Sequence, residues 1–384
     1  MTQRIYLDYA ATAPVRPEVL EAMRPFEGCA NPSSLHAEGR RARAAVDDAR
    51  ARIATILRCK PREIVFTSGG TEADNFAIAG AARAGRARGR HIVASAIEHH
   101  AVLRTLEALR DEGADVTLAG VDENGVVEPK AFAAALRDDT VAAAVMYANN
   151  EIGTIEPVRA LADAAHARAV TFVCDAVQAA GSLPLDTGAL GVDALALSAH
   201  KFGGPKGIGA LYVRDGTPLS PLIHGGGQER GRRSGTENVA AIVGFATALE
   251  LAESERDAYS RQTSRLRDRL EAALAGAIAG ARINGKAAAR LPNISSVTIP
   301  GVPVEPLLIA LDLEGIAASA GSACATGSLE PSHVIAAVHG RPAGVEATLR
   351  FSLGRTTTEA EIDQVAAVLP RLLAIQHEGT AAPV

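Results

Sequence analysis

The sequence predicts an α/β protein, in which a large domain with a mostly parallel seven-stranded sheet covered by helices is followed by a small α+β domain at the carboxyl end. Three observations lead to this expectation. Seven short apolar runs are bounded by glycine or polar turns, helical patterns stand between most of them, and the runs are apolar nearly throughout, as in strands buried on both faces.

The runs are EIVFTSG from residue 63, HIVASAI from 91, DVTLAG from 115, VAAAVMYAN from 141, TFVCDAV from 171, ALALSAHK from 194 and GALYVR from 209. Any one of them could be a turn of buried helix. Their flanking glycines and the alternation with helical segments such as TEADNFAIAGAARAG and PVRALADAAHARA favour strands. A long helical pattern occupies residues 237 to 277, and SSVTIPGV, ATLRFSLG and a helix from Thr358 complete the smaller unit. TEAE at 358 to 361 has the spacing of a capping box. The expected division is an amino-terminal arm (1–15) packing with the small domain, a large cofactor-binding domain (16–258) and a small carboxyl-terminal domain (259–384).

Composition narrows the function. The chain has 384 residues, 47% of them hydrophobic, and a net charge of −5, enough for two domains with sizeable cores. Its 39 basic residues are scattered over amphipathic segments such as 40 to 57 and 261 to 273, so direct nucleic-acid binding is not expected. No run reaches the roughly 18 to 20 apolar residues that span a bilayer, and MTQRIYLDYAATAP lacks a signal-peptide core, which points to the cytoplasm and away from membranes. Cysteines 29, 59, 174 and 324 form no CxxC pair and no metal-ligand spacing, so neither a disulfide framework nor a metal site is expected.

The chemistry concentrates in a few motifs. In SAHKFGGPKGIGALYV, Lys201 follows an apolar strand and precedes a glycine-rich turn, where desolvation can strip its proton and let it attack an aldehyde, as in the anchoring of pyridoxal phosphate. A lone lysine near glycines is usually a solvated loop residue. Two further motifs change that reading. TFVCDAVQ offers Asp175 to hold a pyridine nitrogen protonated and Gln178 to face a phenolic oxygen, and FTSGGTEADN ends a strand in Gly69, Gly70 and Thr71 at the start of a helix, where backbone N–H groups can receive a phosphate. Neither GxGxxG after the first strand nor GxxxxGK[ST] is present, which excludes the usual dinucleotide and triphosphate cradles. His99, at the end of HIVASAIE, can lie flat on the ring and exchange protons, although a histidine at a strand end is more often structural and His100 has a similar claim.

These motifs, with YLDYAATAP, NPSSLH, IEHHAV, NNEIGTIEP, HGGGQERGRRSGTEN, SAGSAC and LRFSLGR, make the chain resemble cysteine desulfurases of the NifS/IscS-like group, class V aminotransferases that depend on pyridoxal 5'-phosphate. The resemblance runs almost from end to end. It implies the type I fold of pyridoxal-phosphate transferases, Lys201 as the Schiff-base lysine, His99 stacked on the ring, Asp175 on its nitrogen, and Asn150 and Gln178 as cofactor contacts. Gly70, Thr71, Ser198 and His200 would hold the phosphate, completed by Thr236 from the partner subunit of a homodimer. Arg350, with Asn150, would bind the substrate carboxylate, a role suited to a planar guanidinium; Arg355 is the nearby control position.

Cys324 separates this activity from its neighbours. It lies among small and polar residues in AASAGSACATGSLEPS, unlike Cys174 inside an apolar strand. By resemblance its thiolate takes the sulfur of L-cysteine as a persulfide, alanine leaves, and the sulfur passes to an IscU/NifU-like acceptor or iron–sulfur scaffold protein. Ala320 and Ala13 stand where relatives often have serine and threonine, and the carboxyl end is shorter than in IscS-like members, whose tail contributes to docking a scaffold. An aminotransferase or related lyase would share the cofactor site without needing Cys324, and a catalytically silent scaffold would not need intact Lys201 and Asp175. HGGG at 224 to 227 suggests an esterase loop, but no GxSxG elbow accompanies it.

Overall fold

The computed structural model describes residues 4–321, 332–340 and 344–380. After a two-residue strand β1 (Ile5–Tyr6), the seven apolar runs form β2 (Ile64–Thr67), β3 (His91–Ser95), β4 (Asp115–Ala119), β5 (Thr140–Ala144), β6 (Thr171–Asp175), β7 (Ala194–Ser198) and β8 (Gly209–Val213). They make one sheet in the order β2-β8-β7-β6-β5-β3-β4, in which β8 runs antiparallel to both its neighbours and the other pairings are parallel. Helices cover both faces. One face packs around Val46, Ile53, Phe172 and Phe245, the other around Phe76, Ile78, Val102 and Leu106, which is why strands such as β5 and β7 are buried at every position and apolar except for Thr140 and Ser198 at their ends.

β2 is an edge strand, and its outward backbone is closed by a buried ion pair. The Phe66 amide donates to Glu229 Oε2 at 2.9 Å, while the Ile64 carbonyl accepts from Arg50 Nη1 at 2.7 Å. Arg50 and Glu229 bond each other through both forks, and the guanidinium lies 4.7 Å from the Phe66 ring centroid. Such a cover removes a free edge that would otherwise template pairing with another chain. It also holds Glu229 and Arg230 in the left-handed region, at φ 49° and 58°, a conformation that persists only when its surroundings over-determine it.

A second sheet joins β9 (Arg282–Ile283), β10 (Ile294–Pro300), β12 (Ser319–Ala320) and β13 (Glu346–Ser352) in the order β12-β13-β10-β9, and β11 (Ile316–Ala317) pairs in parallel with β1. Ile5 and Leu7 of the amino-terminal arm enter the core beneath this sheet, beside Val297, Leu349 and Phe351. The last helix, Glu359–Thr380, starts at the predicted capping box: the Thr358 amide donates to Glu361 Oε2 at 2.7 Å and the Glu361 amide to Thr358 Oγ1 at 3.3 Å. Helix Val239–Ala277 is unbroken across the expected boundary at residue 258. Its first half places Phe245 and Leu249 in the core of the large sheet, and its second half places Leu266, Leu270 and Leu274 in the other.

Candidate active site

The carboxyl ends of the parallel strands deliver side chains to one cavity, the usual place for a site in an open α/β sheet. It encloses about 350 Å³ and is lined by Gly70, Thr71, His99, Asn150, Asp175, Gln178, Ser198, His200, Lys201 and Arg350. Ten of the twelve residues predicted from sequence therefore meet in one place. Thr236 is exposed and does not line this chain's cavity. Cys324 lies outside the described residues.

β2 leads into the turn before helix Gly70–Ala84. Gly69 has φ 155°, which only glycine enters readily, and a Cβ on Gly70 would sit 2.7 Å from Val177 Cγ2. The second glycine is therefore required by close packing against the segment after β6. Ser198 closes the turn from the end of β7, its Oγ 3.8 Å from the place a Cβ on Gly69 would take. Glu72, one residue into the motif from Thr71, accepts from the Ser68 amide at 2.8 Å and from Arg233 through both its oxygens.

Asp175 ends β6 with one oxygen accepting the Val177 amide at 2.8 Å. Burial pushes its carboxyl up to about 6, partly offset by that bond and by the Lys201 ammonium. Asp74 and Glu98 are buried carboxyls raised well above the usual range, first by burial and then by neighbouring carboxylates, Asp175 among them. Of the three, Asp175 is the one that ionises near neutrality. His99 caps helix His100–Asp111, its Nδ1 accepting from the Ala101 amide at 3.1 Å. That bond assigns the remaining ring proton to Nε2, and burial with the nearby Lys201 charge holds the imidazole neutral, down to about 4.

Lys201 follows β7 in a short turn, where its Nζ donates to the carbonyls of Ala10 at 2.6 Å and Ala11 at 3.0 Å. Gln178 Nε2 donates to the same Ala10 carbonyl at 2.9 Å, and His200 Nδ1 lies 3.2 Å from Thr12 Oγ1. Arg350, on β13 and almost fully buried, donates through Nη1 to the Asn150 carbonyl and through Nη2 to Asp8 Oδ1, each at 2.9 Å. The amino-terminal arm is thus a wall of the site, which sequence reasoning missed because much of its contribution is made by backbone carbonyls.

Other lining groups were missed as well. Asp74 shares the inward helix face with Thr71 three residues earlier, a spacing that the sequence did contain. Glu151 and His333 also border the cavity, beside His100, which the sequence offered as an alternative to His99; the two histidine rings meet edge to face at 5.0 Å, and His333 Nε2 lies 2.9 Å from the Glu98 carbonyl. Glu151 accepts from Ser332 Oγ at 2.5 Å, and a Cβ on Gly321 would stand 2.6 Å from the same Glu151 oxygen.

The class-V aminotransferase family model matches residues 5–365. The chain belongs to this family. Within it, the chain is 46% identical over 375 residues to the cysteine desulfurase IscS of Dictyoglomus turgidum, an alignment covering 97% of this chain and 95% of the relative. Among solved structures it is similar to a NifS-like protein (36% identity, 97% of this chain and 100% of the other, TM-score 0.90) and to SspA in complex with cysteine (36% identity, 91% and 98%, TM-score 0.80). It is a class V protein of the NifS/IscS-like cysteine desulfurase group, and the cofactor of this group is pyridoxal phosphate. The class V cavity offers an amine, a buried carboxylate that ionises near neutrality, a neutral imidazole face and a glycine-lined helix N-terminus. These are the groups that an aldehyde, a pyridine nitrogen, an aromatic ring and a phosphate call for, so the residues present fit the cofactor.

Proposed function

We propose that this chain is a cysteine desulfurase that removes the sulfur of L-cysteine, releases L-alanine and keeps the sulfur as a persulfide on Cys324. The observation that carries the reading is the convergence of Lys201, Asp175, His99, Gly70 and Thr71 on one cavity with the buried Arg350 at its wall. That SspA, 36% identical, is held in complex with cysteine supports the same substrate here.

Pyridoxal phosphate, when bound, supplies an aldehyde that takes up amines and a ring that draws negative charge from the neighbouring carbon. Asp175 keeps the ring nitrogen protonated, Gln178 and Asn150 orient the ring, and His99 packs against it. Gly70, Thr71, Ser198 and His200 bind the phosphate, with Thr236 of one subunit completing the site of the other in a homodimer. Arg350 and Asn150 orient the substrate by its carboxylate. Lys201, freed to act as a base, moves the proton of the substrate's α-carbon. The thiolate of Cys324 then forms a bond to the substrate sulfur as the sulfur–carbon bond breaks, its electron pair stays with the carbon, and proton uptake gives alanine.

The division into arm (1–15), large domain (16–258) and small domain (259–384) belongs to the same reading. So do a cytoplasmic setting and an IscU/NifU-like acceptor or scaffold for iron–sulfur cluster assembly. No helix among the described residues is long and apolar enough to cross a membrane. The test is mass spectrometry after incubation with L-cysteine: one added sulfur, located on Cys324, is expected. Cys324→Ala is expected to bind the cofactor and form no persulfide; sulfur release at the wild-type rate by that variant overturns the reading.

A further inference from the structure

Arg350 is almost fully buried, and its charge is answered from within the protein. Asp8 Oδ1 takes one Nη2 proton at 2.9 Å, and the Asn150 carbonyl takes one from Nη1. Both contacts are single, so each Nη keeps a second N–H, and Nε has no partner among the described residues. A substrate carboxylate, which pairs best with two parallel N–H groups, therefore has room on the guanidinium but must share its charge with Asp8.

The arm that carries Asp8 is fixed by contacts that do not involve its carboxylate. The Ser352 amide donates to the Leu7 carbonyl at 2.8 Å, the Tyr9 amide to the Ser352 carbonyl at 3.2 Å and the Ala10 amide to Ser352 Oγ at 2.9 Å. Charge at position 8 can thus be changed without moving the backbone.

We propose that Asp8 is a positioning residue that acts through Arg350: as its standing counter-ion, it aims the guanidinium and limits how tightly the site holds an amino-acid carboxylate. This rests on Arg350 as the carboxylate clamp. A buried cation left bare would bind the carboxylate of substrate and product alike, and retain both. Asp8 dilutes that attraction, so alanine leaves a clamp that is still neutralised. Among the described residues Glu151 also feels the Arg350 charge, but it is buried, raised first by burial, and already bonded to Ser332.

The experiment is equilibrium binding of L-alanine to the full-length, cofactor-loaded protein, read by the change in cofactor absorbance. Asp8→Asn keeps an oxygen acceptor and removes the charge; it is expected to tighten alanine at least threefold and leave the affinity of cofactor-free protein for pyridoxal phosphate unchanged. Asp8→Glu keeps the charge and is expected to bind alanine as the wild type does. In an Arg350→Lys background the effect of Asp8→Asn is expected to shrink, since the interaction it reports has been altered. Unchanged or weaker alanine binding by Asp8→Asn, equal tightening by Asp8→Glu, or an undiminished effect in the Arg350→Lys background overturns the proposal. Arg350→Lys with wild-type alanine affinity instead overturns the clamp on which it rests.

Discussion

Ser332 and Gly321 converge on one carboxylate: Ser332 Oγ donates to Glu151 Oε2 at 2.5 Å, and Gly321 approaches the same oxygen so closely that a Cβ there would lie 2.6 Å away. Cys324 is carried between these two residues in the sequence. Ser332→Ala removes a donor from a buried carboxyl, a loss of roughly 1–3 kcal/mol. Persulfide formation on Cys324 is expected to slow by about tenfold, with the cofactor spectrum unchanged; time-resolved mass spectrometry beside absorbance separates the two.

Arg233 joins the HGGGQERGRRSGT loop to the start of helix Gly70–Ala84 through both oxygens of Glu72, at 2.8 and 3.0 Å. Arg233→Met strands the largely buried Glu72 and is expected to cost roughly 2–3 kcal/mol, below the range for fully buried pairs because Arg233 keeps some exposure. Chemical denaturation measures it, and Glu72→Gln added to Arg233→Met is expected to recover part of the loss.

Cofactor affinity should depend on pH through Asp175. In the cofactor-free protein its carboxyl ionises at about 6, so affinity for pyridoxal phosphate is expected to fall as pH drops through that value. A titration of cofactor fluorescence from pH 8 to pH 5 checks it. Affinity that is flat across this range contradicts the assignment of Asp175 to the ring nitrogen.

The same ionisation bears on stability. Because the folded-state value lies above the unfolded one, Asp175 contributes its full stability below about 4 and loses it as pH rises through 6. The charged form then costs cofactor-free protein roughly 3 kcal/mol at pH 8, from a rise of about two units. Asp175→Asn is expected to raise the melting temperature of cofactor-free protein at pH 8, to lose that advantage below pH 4, and to bind the cofactor poorly.

Gly70→Ala places a methyl group 2.7 Å from Val177 Cγ2. The expected cost is about 1–3 kcal/mol of overpacking, with phosphate-dependent cofactor affinity reduced as the turn shifts. Gly70→Ala with Val177→Ala is expected to restore both, which calorimetry and cofactor titration measure.

The large sheet was legible because its strands are short, apolar on both faces and separated by helical periods, so each of the seven runs maps onto one strand. The cavity was legible where function resides in side-chain chemistry: Lys201, Asp175, His99 and Arg350 all line it. What could not be read was the arm's part in the cavity. Ala10 and Ala11 reach Lys201 through carbonyls that every residue possesses, and only the fold puts them 191 and 190 residues from their partner in sequence yet within hydrogen-bond reach. The buried acids were hidden for another reason. Asp74 and Glu98 sit in segments that read as ordinary helix and strand end, and their altered ionisation arises from surroundings assembled from β3, β5, β6 and helix Gly70–Ala84.

Helix Val239–Ala277 has one end rooted in each core. A rod shared in this way turns two hydrophobic interiors into one melting unit, because neither can come apart without pulling ordered turns out of the other. It also ties the sheet that carries Lys201 to the sheet that carries Arg350, the two sides from which the cavity is lined.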